Sequence, residues 1–538
     1  HSSFIIHHSS FVPSMTTATL YLLLPEMVLI AVAVAIYLGG AFSTARQTWR
    51  WMAAGAIVAA AVLLWRQHAP ADGSLSLPLH FDQLACLARW LALCVGVLLL
   101  LLASRPNSDA TAEYVGSLLL TVAGLMLVGV AGDLVLLFVA LELISIPTYV
   151  LLYLGRRDAA SQEAAAKYFF LSVLSSAILL YGFSFLYGIA GSTELTALRS
   201  ALDGVKPLPN GFAVLAKLAL ALVFGGLSFR IAAVPFHFYA PDVYQGTTHS
   251  NAALLSVVPK AAGFLVMTRI LVAAMPNATP YTWQIVLGVS VLTMTFGNVM
   301  ALWQDDLRRL LAYSSIANAG YMLLALSVAL VSVGGTAAWD GIAAVAFYLV
   351  VYSVATIGAF AVFEHLGRPD RSLDGVDELA GLGSTKPPAA AVLAVCLFSL
   401  TGIPPLAGFW GKFLVFGGAL SVDPAAGTPD GLRWWFVAAA IVGVLNAAVA
   451  AAYYLRIVAV MYFRTPLATP RAEGGAGAWW AAVTCALVLV GVGVYPGPLM
   501  HQVVAASEGQ AKFFGAKPPA VTSEAAITEK RPPLQSAP

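Results

Sequence analysis

Charged residues are scarce in this chain. Only 10% of its 538 residues are Asp, Glu, Lys or Arg, whereas 60% are hydrophobic, and the mean hydropathy is +0.84. Soluble domains carry about 25% charged residues, so this composition excludes an ordinary water-soluble protein. The formal net charge of +2 provides no basic excess for nucleic-acid binding. We therefore predict an all-α integral membrane protein that contacts the lipid bilayer and no nucleic acid.

Cysteine is also rare, which bears on cofactors. The four cysteines lie in apolar runs without a Cys-x-x-Cys spacing, and the nine histidines are scattered. These spacings do not match zinc, haem or iron–sulfur ligand sets. No Rossmann or P-loop glycine motif opens a soluble domain. We predict that the cysteines are small buried hydrophobic residues and that the chain itself binds no metal or cofactor.

Long apolar runs take up most of the chain. Windows of about 20 apolar residues predict about fourteen transmembrane helices between residues 18 and 499. Lys and Arg concentrate in the odd-numbered loops. By the positive-inside rule, these loops are expected in the cytoplasm and both termini on the periplasmic side of a bacterial inner membrane.

The chain divides into six predicted parts. Residues 1–14 precede the first methionine, Met15, and are expected to be a non-native or upstream leader. Residues 15–111 hold N-terminal transmembrane helices, residues 112–274 and 281–465 form two repeats, and residues 466–505 hold a C-terminal transmembrane helix. Residues 506–538 are rich in Ala and Pro without an apolar period, which predicts a disordered tail.

Two apolar segments are interrupted by proline. They are SFRIAAVPFHFYAPD at 228–242 and FSLTGIPPLAGFWGKF at 398–413. Proline removes a backbone donor and clashes with the preceding turn, so both helices are expected to break. Paired broken helices are typical of inverted-repeat transporters, in which irregular backbone lines a cavity. We predict two inverted five-helix repeats, each with one proline-broken helix.

Glu142 and Arg230 are charges in apolar surroundings. A charge near the bilayer centre costs roughly 2.5 to 3.5 kcal/mol, so it normally faces a partner or a wet cavity. Arg230 is the best partner for Glu142, because an ion pair keeps the carboxylate ionised. The alternative for Glu142 is a lone acid near a helix end, kept neutral by burial.

Lys260 and Lys412 are further buried cations. Lys260 lies some ten residues into its span, or about 15 Å from its end, which is too deep for snorkelling to the headgroups. A desolvated amine can lose and regain a proton near neutral pH, as a relay requires. Lys412 follows the second break, where an interfacial lysine is the alternative. Lys217 fits snorkelling better, and Lys167 fits a surface pair with Glu163.

His237 follows the first break and can pass protons through water, although a histidine that caps broken backbone is nearly as good an account. Polar residues also mark the tenth predicted span, namely Tyr313, Ser314, Ser315 and Asn318. They fit a water wire and ordinary interhelical packing equally well.

At these residues the chain resembles a known family. The stretches LELISIP, FRIAAVPFHFYAPDVYQG, LSVVPKAAGF, QDDLRRLLAYSSIANAGY and TGIPPLAGFWGKF resemble the antiporter-like subunits of bacterial NADH–quinone oxidoreductase, respiratory complex I. The PDVYQG segment favours the subunit N branch. The resemblance implies proton transfer through Glu142, Arg230, Lys260, His237 and Lys412. It also implies that NADH, FMN, iron–sulfur clusters and quinone are bound by partner subunits, beside the other membrane subunits of the complex.

Two positions depart from the family pattern. Arg230 stands where the family usually has lysine, and arginine serves as a fixed counter-charge rather than a proton carrier. Asn318 stands where histidine is frequent, and asparagine cannot titrate. Two other functions stay open: an Mrp-type or free-standing cation/proton antiporter, and a membrane enzyme or scaffold whose polar residues are only structural.

Overall fold

The computed structural model describes residues 17–43, 45–67, 79–103, 110–156, 158–202, 210–275, 281–332, 339–367, 373–422, 431–466 and 473–513. Helices make up nearly all of these residues. The only β-type pairings among them are isolated bridges, which join Leu79 to Ala131, Asp133 to Glu194 and Asp306 to Gly375. The predicted all-α fold is confirmed for this part of the chain.

The first half of the bundle contains ten helices. They are α1 (Thr17–Gly40), α2 (Arg46–Arg66), α3 (Gln83–Leu102), α4 (Thr111–Val130), α5 (Leu134–Gly155), α6 (Ala159–Ala190), α7 (Leu195–Leu202), α8 (Asn210–Arg230), α9 (Tyr239–Gly246) and α10 (His249–Met267). A π-helical segment, Thr268–Ala274, extends α10.

The second half contains nine helices. They are α11 (Thr282–Leu302), α12 (Leu307–Ser332), α13 (Gly341–Leu366), α14 (Leu382–Thr385), α15 (Pro387–Thr401), α16 (Ala407–Leu420), α17 (Leu432–Phe463), α18 (Ala476–Val494) and α19 (Gly497–Phe513). A 3₁₀ turn, Val376–Leu379, precedes α14.

Thirteen of the described helices are long and apolar enough to cross a membrane. The shorter apolar helices α15 and α16 follow one another and together supply a fourteenth crossing. The prediction of about fourteen spans is therefore confirmed. The inverted relation between two five-helix repeats stays a prediction.

Both predicted breaks are present. Helix α8 ends at Arg230, and the chain runs through turns around Pro235 before α9 begins at Tyr239. Helix α15 ends at Thr401, and Gly402 has a φ of +91°, in the left-handed region that favours glycine. A Cβ atom on Gly402 would lie 2.9 Å from Cδ of Lys412, so close packing also requires glycine there.

The core of the bundle is formed by α10, α12 and α13. Every residue of α10 is buried, and nearly every residue of α12 and α13 is buried. Other helices surround these three and present exposed apolar residues at the periphery. A charged side chain in the middle of α10 therefore cannot reach the headgroup region.

The C-terminal part differs from the prediction. One transmembrane helix was expected at 466–505 and a disordered tail from 506, but α18 ends at Val494 and α19 continues to Phe513. The boundary at 506 is wrong because α19 packs against α3 and buries Val503 and Ala506. The expected leader at 1–14 and the remaining tail, 514–538, lie outside the described residues.

Candidate functional site

The first ionic element of the site joins α5 to the end of α8. Arg230 Nη2 lies 3.0 Å from Oε1 of Glu142. The Arg230 side chain is 5% exposed and that of Glu142 is 22% exposed. The structure thus places Arg230 against Glu142, the partner expected from the sequence.

Serine hydroxyls complete the surroundings of this pair. Arg230 donates from Nη2 to Ser176 Oγ at 3.0 Å and from Nη1 to Ser145 Oγ at 2.8 Å. Ser176 donates to Glu142 Oε1 at 2.6 Å, and the Leu141 carbonyl accepts a longer bond from Arg230 at 3.4 Å. Because both charges keep polar partners, the pair can stay ionised inside the protein.

Lys260 lies near the centre of α10 and is 1% exposed. Its Nζ donates to the backbone carbonyl and to the hydroxyl of Ser315 on α12. The Tyr352 hydroxyl, from α13, donates to the same Ser315 Oγ at 2.7 Å. Among the described residues, Lys260 forms no salt bridge with an acidic side chain. A lysine without a carboxylate partner in a dry core is poised to exchange its proton with neutral neighbours.

Lys412 occupies the second break and is 6% exposed. Its Nζ donates to the backbone carbonyl of Thr401 at 2.8 Å, which is the last residue of α15. The same atom lies 5.1 Å from the centre of the Tyr321 ring. The negative end of the α15 dipole and the ring face both favour an ammonium group here.

Hydroxyls and amides occupy the region between the two lysines. Tyr348 of α13 donates to Asn318 Oδ1 at 2.6 Å, and Asn318 donates to the Ser314 carbonyl at 2.8 Å. Tyr321 accepts from Asn298 Nδ2 at 3.1 Å, and its ring packs edge-on against that of Tyr348. These contacts bring the polar residues of the tenth predicted span to the site, but they do not by themselves form an unbroken hydrogen-bonded chain.

His237 is not brought to the lysines. Its ring packs edge-on against Phe296, with the centroids 4.5 Å apart. Its Nδ1 is buried and has no hydrogen-bond partner within the described ranges. Among those residues, no hydrogen bond links it to Lys260 or Lys412.

The two peripheral lysines behave as expected. Lys217 is exposed on α8, as a snorkelling side chain requires. Lys167 Nζ lies 2.7 Å from Glu163 Oε1 and 3.3 Å from Asp242 Oδ2. Neither lysine belongs to the buried site.

Two buried ion pairs were not predicted. Arg269, in the π-helical segment, contacts both carboxylate oxygens of Asp82 at 2.6 and 2.7 Å. Arg89 on α3 contacts both oxygens of Glu26 on α1 at 2.7 and 2.8 Å. The signal in the sequence was the same as for Lys260, a charge within an apolar run. The tyrosines Tyr348 and Tyr352 were also missed, although their four-residue spacing puts them on one face of α13.

No cluster of three or more His, Cys, Asp or Glu side chains in the described part of the chain is arranged to hold a metal ion. The four cysteines are free thiols. Two of them, Cys396 and Cys485, are buried, whereas Cys94 is exposed and Cys86 is half-buried, so the prediction of buried cysteines is correct for two of the four.

Comparison with known proteins assigns a family to this architecture. Residues 131–428 match the family model described as NADH:quinone oxidoreductase/Mrp antiporter, TM. NADH-quinone oxidoreductase subunit N from Desulfovibrio desulfuricans is 36% identical over 90% of this chain and 96% of its own length. NADH-quinone oxidoreductase subunit N 1 from Koribacter versatilis is 40% identical over 75% and 76% of the two chains.

Solved structures match over a similar extent. A chain of respiratory complex I from Thermus thermophilus with bound aureothin has a TM-score of 0.73 and 32% identity, covering 89% of this chain and 99% of that one. A chain of the Mrp complex from Dietzia sp. DQ12-45-1b has a TM-score of 0.75 at 20% identity, covering 92% and 98%. The second likeness shows the shared fold alone.

Proposed function

Because this chain belongs to the NADH:quinone oxidoreductase/Mrp antiporter transmembrane family, and to the subunit N branch by its near-full-length relatives, we propose that it is a proton-translocating subunit of NADH–quinone oxidoreductase. Electron transfer from NADH to quinone takes place in partner subunits, which hold NADH, FMN, the iron–sulfur clusters and quinone. This chain converts the energy of that reaction into proton movement across the membrane, in contact with the other membrane subunits of the complex.

The observation that carries the proposal is the series of three buried cations, Arg230, Lys260 and Lys412, on interrupted or central helices. Buried lysines are costly unless they serve a function. Arg230 stays protonated, so it acts on its neighbours only through its charge. Lys260 and Lys412 are the groups that can exchange a proton.

In the proposed cycle, Glu142 and Arg230 form an electrostatic switch. While the pair is closed, the carboxylate offsets the guanidinium charge. When the pair opens, the uncompensated charge of Arg230 disfavours a second cation in the same low-dielectric core. Lys260 then releases its proton through Ser315 and the neighbouring hydroxyls towards Lys412, from which it leaves on the far side.

His237 keeps a separate place in the proposal. Its position in the first break and the unpartnered Nδ1 suit a water-mediated branch rather than a direct step between the lysines. His237→Gln would impair pumping if this branch conducts protons, whereas normal pumping would assign the ring a packing role against Phe296.

We assign the odd-numbered loops to the cytoplasm and both termini to the periplasm of a bacterial inner membrane, on the distribution of Lys and Arg. The Mrp-type antiporter is the second candidate, since the fold is shared with a chain of the Mrp complex. The near-full-length likeness to subunit N relatives favours the first candidate.

The test is to purify the tagged chain from its native membrane. We expect co-isolation with flavin and iron–sulfur subunits, and NADH oxidation by quinone that acidifies or alkalinises the lumen of proteoliposomes. A chain that purifies without redox subunits and exchanges cations for protons by itself would overturn the complex I assignment in favour of the antiporter.

A further inference from the structure

A small polar cavity lies at the end of the bundle where α10 begins and α13 ends. Its volume is about 90 Å³, enough for several waters at about 30 Å³ each. The polar residues that line it are Arg50, Thr111, Tyr114, Thr248, Ser250 and Glu364. The cavity also touches the end of α3 and the end of α5, so it opens at the face formed by the odd-numbered loops.

Two titratable side chains lie at the inner end of this cavity. Glu364, which lines it, is 1% exposed. His249 is equally buried and stands between the lining residues Thr248 and Ser250. The His249 ring packs against Phe363 and Phe360, with centroid distances of 5.7 and 6.3 Å. The imidazole therefore lies beside the aromatic residues that precede Glu364 on α13.

A stripe of residues connects Glu364 to Lys260. Tyr348, Tyr352, Thr356, Phe360 and Glu364 follow one another at four-residue spacing on α13, and all five are buried. The Tyr352 hydroxyl makes hydrogen bonds to Ser315 Oγ, the partner of Lys260, and to the Ser256 carbonyl one turn before Lys260. Phe360 is the only apolar member of the stripe, and it is the residue beside which the His249 ring packs.

The other charged and titratable groups at this end come from several elements. They are Arg50 of α2, Glu113 of α4, Arg308 of α12, His365 of α13, Asp374 and Glu473. Arg308 is occupied by the Thr247 carbonyl and by Asp374, at 2.5 and 2.7 Å. It thereby fixes the start of α10 against α12.

We propose that Glu364 and His249 form a proton-uptake port that reloads Lys260 from the odd-loop face. The inference rests on the proposed function and adds the residues through which the proton enters. A proton from cavity water passes to the Glu364 carboxylate, and the resulting hydroxide returns to bulk water. The proton moves on to the imidazole of His249, which carries it past Phe360.

The last step uses the hydroxyls already in place. After Lys260 has lost its proton, the Ser315 hydroxyl donates to the neutral amine and accepts in turn from Tyr352. Tyr352 recovers its proton from the imidazolium of His249 by way of Thr356. The path from His249 to Lys260 covers eleven residues of α10, about 16 Å, so one helical face accounts for the whole inlet.

The port is tested in the intact complex, reconstituted in proteoliposomes, by measuring protons pumped per NADH oxidised. We expect Glu364→Gln and His249→Gln to lose pumping and Glu364→Asp to retain it. Glu163→Gln, an exposed acid at the end of α6 beside the odd-loop face, and His365→Gln, adjacent to Glu364, are the matched controls and should pump normally. Normal pumping by both port variants would overturn the port.

Lys260→Ala, measured in parallel, separates the two levels of inference. If it loses pumping while the port variants pump normally, the port is wrong and the proposed function stands. If it also pumps normally, the proposed function itself fails.

A labelling measurement covers the case in which a port variant does not assemble. Ser250→Cys should react with a membrane-impermeant maleimide from the odd-loop face, beyond the background of the native thiols. Ser327→Cys, fully buried on α12 away from the cavity, should not react. Absence of labelling at Ser250→Cys would contradict a water-filled entry.

Discussion

The Arg230 side chain offers the sharpest test of the electrostatic switch. Arg230→Met removes the partner of Glu142, and breaking a buried pair typically costs about 3–5 kcal/mol. Glu142 is 22% exposed and keeps its bond from Ser176, so we expect about 2–3 kcal/mol here. Arg230→Lys keeps the charge but has a single nitrogen, so it loses the bond to Ser145, about 1–2 kcal/mol.

The two variants should therefore differ in function as well as in stability. Arg230→Lys should pump protons, because a cation still faces Glu142, whereas Arg230→Met should not. Heat-induced dissociation of the purified complex should rank wild type above Arg230→Lys and Arg230→Met last. Infrared difference spectra should show a protonated carboxyl in Arg230→Met that disappears when Glu142→Gln is added.

The reasoning about charge is refuted if Arg230→Met pumps normally with an ionised Glu142. Severe loss in Arg230→Lys would have a different meaning. It would show that the two-nitrogen geometry of the guanidinium, with its bonds to both serines, is required in addition to its charge.

Three further predictions concern other parts of the bundle. Lys412→Ala should stop pumping while the complex stays assembled, because the lost ammonium contacts only a carbonyl and a ring; normal pumping in proteoliposomes would remove Lys412 from the route. Tyr352→Phe should slow pumping yet change stability by only about 1 kcal/mol, and an unchanged pumping rate would count against a hydroxyl relay. Asp82→Asn leaves Arg269 without its anion and should lower the dissociation temperature, by an amount equivalent to about 3–5 kcal/mol, whereas Glu163→Gln should have almost no effect; equal stability would show that the pair is dispensable.

Some features could be predicted because their signals are local. Pro235 and the pair at 404–405 interrupt apolar runs, and backbone chemistry alone requires a break there. Lys260 could be identified as buried because its distance from the ends of its span exceeds the reach of a lysine side chain. Pairing of Glu142 with Arg230 followed from the need of each charge for a partner.

Other features depend on tertiary structure. Asp82 and Arg269 are separated by 187 residues, and nothing near either one indicates the other. Tyr352 reads as an ordinary core aromatic residue until the fold places its hydroxyl on Ser315. Helix α19 lacks a strong apolar period, so its order comes from packing against α3 and from the Gln510 amide, which donates to the Thr268 carbonyl at 3.2 Å.

The central claim is that Lys260 works by releasing and regaining a proton. Lys260→Arg tests it most directly, because arginine keeps a positive charge at the same position but does not deprotonate in proteins. We predict that an assembled complex with Lys260→Arg loses pumping through this chain, measured as protons moved per NADH oxidised. Pumping at the wild-type ratio would show that a fixed charge suffices and would contradict the account.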